Sequence, residues 1–194
     1  MEFQQINCFN LIPLELLREI LKLLSLKELI QMTILDTNMN KLIKQVKWNH
    51  MTIRVRNLER IKYVITTYKF KKYDFSYTDI TDNEVKLLGA CRTLNLSNCN
   101  KITDSSVKLL GGCNKLYLAN CYQITDLSVK LLGTCHKLNL TYCKQITDSS
   151  VKLLGSCHQV YLNFCHQITD SSVKLLGGCH TLYLQGCYQI TDAS

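Results

Sequence analysis

Proline is almost missing from this chain, with one residue, Pro13, in 194, and glycine and tryptophan are scarce at eight and one. A polymer so poor in proline and glycine is neither collagen-like nor a Pro-rich disordered chain. With 46% hydrophobic and 20% charged residues it should pack into one or two domains. Long apolar runs are lacking as well. No stretch reaches the roughly 18 uncharged apolar residues of a membrane span. The N-terminus, MEFQQINCFNLIPLELLREI, has no basic region leading into an uninterrupted apolar one, as a signal peptide would. The expectation is an intracellular chain, in cytoplasm or nucleus, with no membrane partner. Acids are locally scarce too: residues 41–72 hold ten Lys and Arg against Glu59 alone, so the net charge of +8 belongs to that segment.

Cysteine, by contrast, is abundant. Apart from Cys8, the eleven fall at 91, 99, 113, 121, 135, 143, 157, 165, 179 and 187, with alternating gaps of 8 and 14. In a reducing compartment they are thiols, and an odd count fits no closed disulfide framework. Structural zinc needs closely spaced cysteine pairs, and no two here lie nearer than eight residues. A catalytic thiol needs a unique, activated position, whereas these are repeated copies. No catalytic residue, metal, cofactor or small-molecule substrate is therefore expected, and the chain is read as a non-enzyme.

The cysteine spacing resolves into a 22-residue repeat: CRTLNLSNCNKITDSSVKLLGG at 91–112, then 113–134, 135–156 and 157–178, a fifth copy from Cys179, and a shorter relative at 73–90. Each unit reads as a strand, a turn and a short helix. Leu94 and Leu96 alternate with polar residues at period 2 and face inward. Thr103 or Asp104 can cap a helix whose Val107 and Leu110 are buried, and Gly111 can take a left-handed position after it. Asp104 and Lys108 stand at i, i+4, an order worth about 0.2–0.5 kcal/mol as an ion pair, repeated as Asp126/Lys130, Asp148/Lys152 and Asp170/Lys174. A unit this small cannot bury its own apolar face, so the copies must stack into a solenoid with a parallel sheet along one side. Cys91, Cys113, Cys135, Cys157 and Cys179 then form one buried ladder, and Cys99, Cys121, Cys143, Cys165 and Cys187 a second.

The pattern C-x-x-L-x-L-x-x-C-x-x-I-T-D-x-x-V-x-x-L-G over residues 73–194 resembles the cysteine-containing leucine-rich repeats of F-box/leucine-rich-repeat proteins. The resemblance implies an α/β solenoid of short leucine-rich repeats, a parallel strand plus a short helix per repeat, preceded by a small all-α F-box module. That module is residues 11–43. Its I-P-x-E-L-L-x-x-I-L-x-x-L-S-x-x-x-L run resembles an F-box, although on periodicity alone it reads equally as a helical cap for the first repeat. The F-box resemblance implies binding to a Skp1-like adaptor, and through it a cullin, by Pro13, Leu16, Ile20, Leu24, Leu35 and Met39. Met39 stands where the family commonly has tryptophan. A compact repeat behind an F-box also resembles proteins of large amoeba-infecting DNA viruses, where the cytoplasm and the adaptor are the host's.

Residues 1–10 are an N-terminal tail. Residues 44–72, with neither Gly nor Pro, read as a rigid, basic connector and degenerate first repeat: an edge strand in M-T-I-R-V-R, then a helix through Leu58, Ile61 and Ile65. On the outward strand positions Lys115, Tyr117, Lys137, Asn139, Tyr161, Asn163, Tyr183 and Gln185 should pave a concave face roughly 24 Å long. They vary while the scaffold does not, as a binding surface for a protein target would. His136, His158 and His180 share a column with Arg92 and Asn114, read as a solvated loop. The functional expectation is the substrate-recognition subunit of a Skp1–cullin–F-box ubiquitin ligase, its repeats holding a protein for ubiquitination. The alternatives are a non-ligase interaction scaffold and, from the basic segment, a nucleic-acid-associated protein, which has no nucleic-acid fold motif to support it.

Overall fold

The computed structural model describes residues 13, 15–16, 20–21, 26–35, 37–46, 48, 51–59, 61–68 and 70–191. The tail at 1–10 lies outside them. Among the described residues, 15–16 and 20–21 are helical, and the first two helices with complete bounds are α1 (Leu26–Leu35) and α2 (Thr37–Gln45). A two-residue strand β1 (Ile53–Arg54) follows, then α3 (Ile61–Tyr68). The connector thus holds a strand in its M-T-I-R-V-R run and a helix through Ile61 and Ile65, whereas Leu58, expected in that helix, precedes it. Six further strands come at the repeat interval: β2 (Lys72–Asp74), β3 (Thr93–Asn95), β4 (Lys115–Tyr117), β5 (Lys137–Asn139), β6 (Gln159–Tyr161) and β7 (Thr181–Tyr183). All seven pair in parallel and in chain order. One-turn helices α4 (Asp82–Val85), α5 (Asp104–Val107), α6 (Asp126–Val129), α7 (Asp148–Val151) and α8 (Asp170–Val173) line the opposite side.

The register turns each repeated residue into a column. Leu94 pairs with Leu116, Leu116 with Leu138, Leu138 with Val160 and Val160 with Leu182. From Leu94 to Ile168 the inward strand residues, the Ile of I-T-D, and Val107, Leu110 and their equivalents through Leu154 are fully buried, while Leu182, Leu184 and Ile190 of the last coil are partly buried. Burying each such side chain contributes about 1.5–3 kcal/mol. One apolar core runs without a break from Leu21 to Cys187. At the joint it becomes aromatic: Trp48 donates to the Ile43 carbonyl and meets Phe70 at 5.7 Å, and Tyr73 stacks on Phe75.

Both cysteine ladders are buried, with Cys179 half-buried. Cys99, Cys121, Cys143, Cys165 and Cys187 donate their thiols to the Phe75, Leu96, Leu118, Leu140 and Leu162 carbonyls of the preceding coil, at 3.1–3.3 Å. Burial pushes Cys121 and Cys165 up to about 12, so the thiols stay protonated and able to donate.

Two expectations about the turn are corrected. Gly111 is not left-handed: the only glycine with positive φ among the described residues is Gly186. Glycine is needed at 111 because a Cβ there would lie 2.6 Å from the Leu131 carbonyl oxygen of the next coil, and Gly133 and Gly155 are as tightly placed. The left-handed positions are instead Asn98, Asn120, Tyr142 and Phe164, just before the second cysteine, and Tyr77, which precedes Thr78 in the shorter first unit. Second, no ion pair joins Asp104 to Lys108 among the described residues. Thr103 caps α5 through the Ser105 amide. That leaves the Asp104 carboxylate to accept from the Thr125 amide at 3.0 Å, the Thr125 hydroxyl at 2.6 Å and the Ser128 hydroxyl of the next coil. The same bridge links Asp82 to Thr103 and Ser106, Asp126 to Thr147 and Ser150, and Asp148 to Thr169 and Ser172. Desolvation works against the Asp82 charge, but hydrogen bonds from Ser106, Thr103 and Ser105 outweigh it and hold this carboxyl at about 2.

Candidate protein-binding face

Period-2 alternation puts Thr93, Asn95, Tyr117, Lys137, Asn139, Gln159 and Tyr161 on the outer side of the sheet, each half-buried between its neighbours, while Lys115 and Tyr183 are exposed. Lys115 pairs directly with Lys137, and Tyr117 with Asn139. Tyr161 and Tyr183 stack at 4.2 Å. The Lys137 ammonium lies 4.9 Å from the Tyr161 ring centroid and 5.7 Å from that of Tyr117, close enough for cation–π attraction. The Tyr161 hydroxyl raises the Lys137 pKa, and Lys137 lowers that of Tyr161. Three tyrosines and a lysine, which the sequence places on four successive repeats, thus form one connected surface.

The asparagines behave differently. The Asn95 and Asn139 side chains accept from the Ser97 and Thr141 amides two residues on, which closes the turn leaving the strand. Asn163 accepts from the Gln185 amide of the next coil. These oxygens are committed to the scaffold, so the tyrosines and lysines carry what the face offers a partner.

The histidine column is stacked as well as solvated. His136 and His158 lie parallel at 4.5 Å, and His158 and His180 meet at 4.6 Å. Desolvation and the neighbouring imidazoles lower the His158 pKa. Among the described residues no group of three or more His, Cys, Asp or Glu could hold a metal ion. Likewise, no helix among them is long and apolar enough to cross a membrane.

In the N-terminal module, Pro13 and Leu16 are exposed and Ile20 is half-buried. Leu24 lies outside the described residues, and Leu35 closes α1. Met39 is 3% exposed, packed in the core of α2 with Leu42 and Ile43. Its side chain therefore supports the module from inside.

The stack of in-register strands and short helices decides the fold. It is a leucine-rich-repeat solenoid. Residues 92–111 match the Leucine Rich repeat family. No curated protein matches the chain. Among solved structures, the chain is similar to one in the complex of Rad7 and Elc1 from yeast, with a TM-score of 0.63 at 17% identity over 81% of this chain. It is also similar to the internalins InlC2 and InlF of Listeria monocytogenes, with TM-scores of 0.57 and 0.53 at 17% and 22% identity, each over 81% of this chain. It spans 48% of the Rad7–Elc1 chain, 77% of InlC2 and 46% of InlF.

Sequence reasoning missed three features of these surfaces. The left-handed column shows only as Asn, Tyr and Phe four residues after the strand's first inward leucine or its equivalent, and Asn98 and Asn120 are the available signal. The Gln123, Gln145, Gln167 and Gln189 side chains each donate to a carbonyl of the preceding coil, a ladder announced by the repeated Q-I-T-D. The third is a line of outward leucines in V-K-L-L-G, where only one leucine of each pair is buried.

Proposed function

We propose that this chain is the substrate-recognition subunit of a Skp1–cullin–F-box ubiquitin ligase, and that it acts without chemistry of its own. The repeat fold and its strand face fit a protein-interaction role. The observation that carries the reading is that strand face: a surface that changes from repeat to repeat joins Tyr117, Lys137, Tyr161 and Tyr183 into a connected patch. Tyrosine is the residue type enriched at interface hot spots. The F-box-like run at 11–43 supplies the ligase link, with Pro13, Leu16 and Ile20 at its accessible surface. A continuous aromatic core through Trp48, Phe70 and Tyr73 fixes module to solenoid. A target would thus be held at a set distance from the adaptor, where positioning is the catalytic contribution.

Co-precipitation with purified Skp1 is the test. Wild type should retain the adaptor, and Leu16→Asp with Ile20→Asp should abolish retention while leaving the repeats folded. Failure of wild type to retain it refutes the ligase link. The buried Met39 favours a second reading, an interaction scaffold with no ligase partner, because it removes one apolar contact from the docking surface. In that case target capture survives without Skp1.

A further inference from the structure

Leu87, Leu109, Leu131, Leu153 and Leu175 occupy one column on the helical side, each between 40% and 58% exposed. Their neighbours Leu88, Leu110, Leu132, Leu154 and Leu176 are buried. The outward leucine is therefore surplus to the core, yet it recurs in every coil. Beside it runs a column of exposed lysines, Lys86, Lys108, Lys130, Lys152 and Lys174. The aspartates one turn earlier do not neutralise them. Asp82, Asp104, Asp126 and Asp148 are turned along the solenoid onto the next coil, and among the described residues no ion pair engages these lysines. At its N-terminal end the leucine line opens into a cavity of about 630 Å³, with Leu87 and Ala90 at one wall, Trp48, Phe70 and Tyr73 at others, and Lys44 and Lys71 also lining it. The Tyr73 hydroxyl is buried and has no hydrogen-bond partner.

From this we infer that the helical side docks an acidic amphipathic α-helix of a partner protein, laid along the leucine line, with a large apolar residue at its end seated in the cavity. Three features of the surface select that occupant. Successive coils stand roughly 5 Å apart, close to the ~5.4 Å pitch at which a helix repeats its apolar stripe. Apart from exposed Leu127 on α6, the apolar feature is a line one leucine wide, bordered by lysines, which matches a helix seam; a bilayer needs a broad apolar area. The unpaired lysine column calls for acids on the flanks of that seam. This inference is independent of the ligase reading, since it uses neither the strand face nor the F-box-like run.

The test uses the full chain and a labelled 21-residue peptide with leucines at helical spacing, glutamates elsewhere and one terminal tryptophan, followed by fluorescence anisotropy. Saturable binding that weakens with salt is expected. Leu131→Gln with Leu153→Gln should weaken it by roughly tenfold or more, as should Lys130→Glu with Lys152→Glu, while Lys137→Glu on the strand face leaves it unchanged. Circular dichroism of each variant checks that these exposed changes keep the fold. Equal binding of a scrambled peptide of the same composition overturns the inference, as does equal binding by the leucine variant. Two other outcomes also overturn it: sedimentation with phosphatidylserine vesicles without peptide binding, and a dimer of the chain that the leucine variant dissolves.

Discussion

The two long surfaces of this solenoid are built from the same 22-residue unit and differ in what each repeat does to them. On the strand side the outward residue of the central column is Asn, Tyr, Asn, Tyr, Tyr from Asn95 to Tyr183. On the helical side Lys-Leu recurs unchanged from Lys86 to Leu175. Between the two lie columns that cannot vary because each holds its neighbour: the buried leucines, the thiol donors, the aspartate bridges and the close-packed glycines. A side chain whose partner sits one coil away is constrained by its own copy. One that faces solvent is free to diversify, or to be kept for what it contacts outside.

Changes in the constrained columns should therefore cost most. Gly133→Ala would force a Cβ to within 2.5 Å of the Leu153 carbonyl, whereas Gly177 has open space. Thermal or urea unfolding should show a loss of about 3 kcal/mol or more at 133 and no measurable loss for Gly177→Ala. Equal behaviour would remove the close-approach argument. Next in size, Asp126→Ala deprives the Thr147 amide and the Thr147, Ser149 and Ser150 hydroxyls of their acceptor. It should cost about 2–3 kcal/mol and uncouple the coils on its two sides, visible as faster amide exchange at 147–151. The carboxyls of Asp82 and Asp148 are held at about 2, below the ordinary ~3.9. Their contribution is complete above pH 4 and is lost as pH falls from about 4 to about 2, so acid titration of the folded chain should show its transition in that window.

A smaller loss is expected in the thiol ladder. Cys143→Ala leaves the Leu118 carbonyl without its donor and should cost about 1–2 kcal/mol. In native protein the buried thiols should resist alkylation, with half-buried Cys179 reacting first among the ten cysteines of the two ladders.

Most of the architecture was legible because it is periodic. The strand leucines and the two cysteine ladders follow from spacing alone, and each stands where that spacing puts it; the cap, open between Thr103 and Asp104 in the sequence, falls to Thr103. The connector was legible through Ile53 and the Ile61/Ile65 pair. The errors share one origin, which is reasoning within a repeat where the contact lies between repeats. Asp104 was matched with Lys108 four residues on, but it bonds Thr125 at 21 residues' separation. Gly111 was assigned a conformation, when its requirement is the Leu131 carbonyl in the next coil. Of the candidate site, the alternation gave the outward residues but not their interactions. That Lys137 bridges Tyr117 and Tyr161 while Asn139 turns back to its own backbone depends on side-chain length and rotamer, which the pattern does not encode.

The central claim, that the strand face is for binding and the buried columns for stability, meets its most direct test in one triple variant. Tyr117, Tyr161 and Tyr183 are replaced by Asn, the residue already at 95 and 139 in the same column. Affinity capture from the natural cell is then read beside thermal unfolding. Stability should stay within about 1 kcal/mol, the loss of stacking and cation–π contacts, while specific capture of the target disappears. An unchanged set of captured proteins, or collapse of the fold, would contradict it.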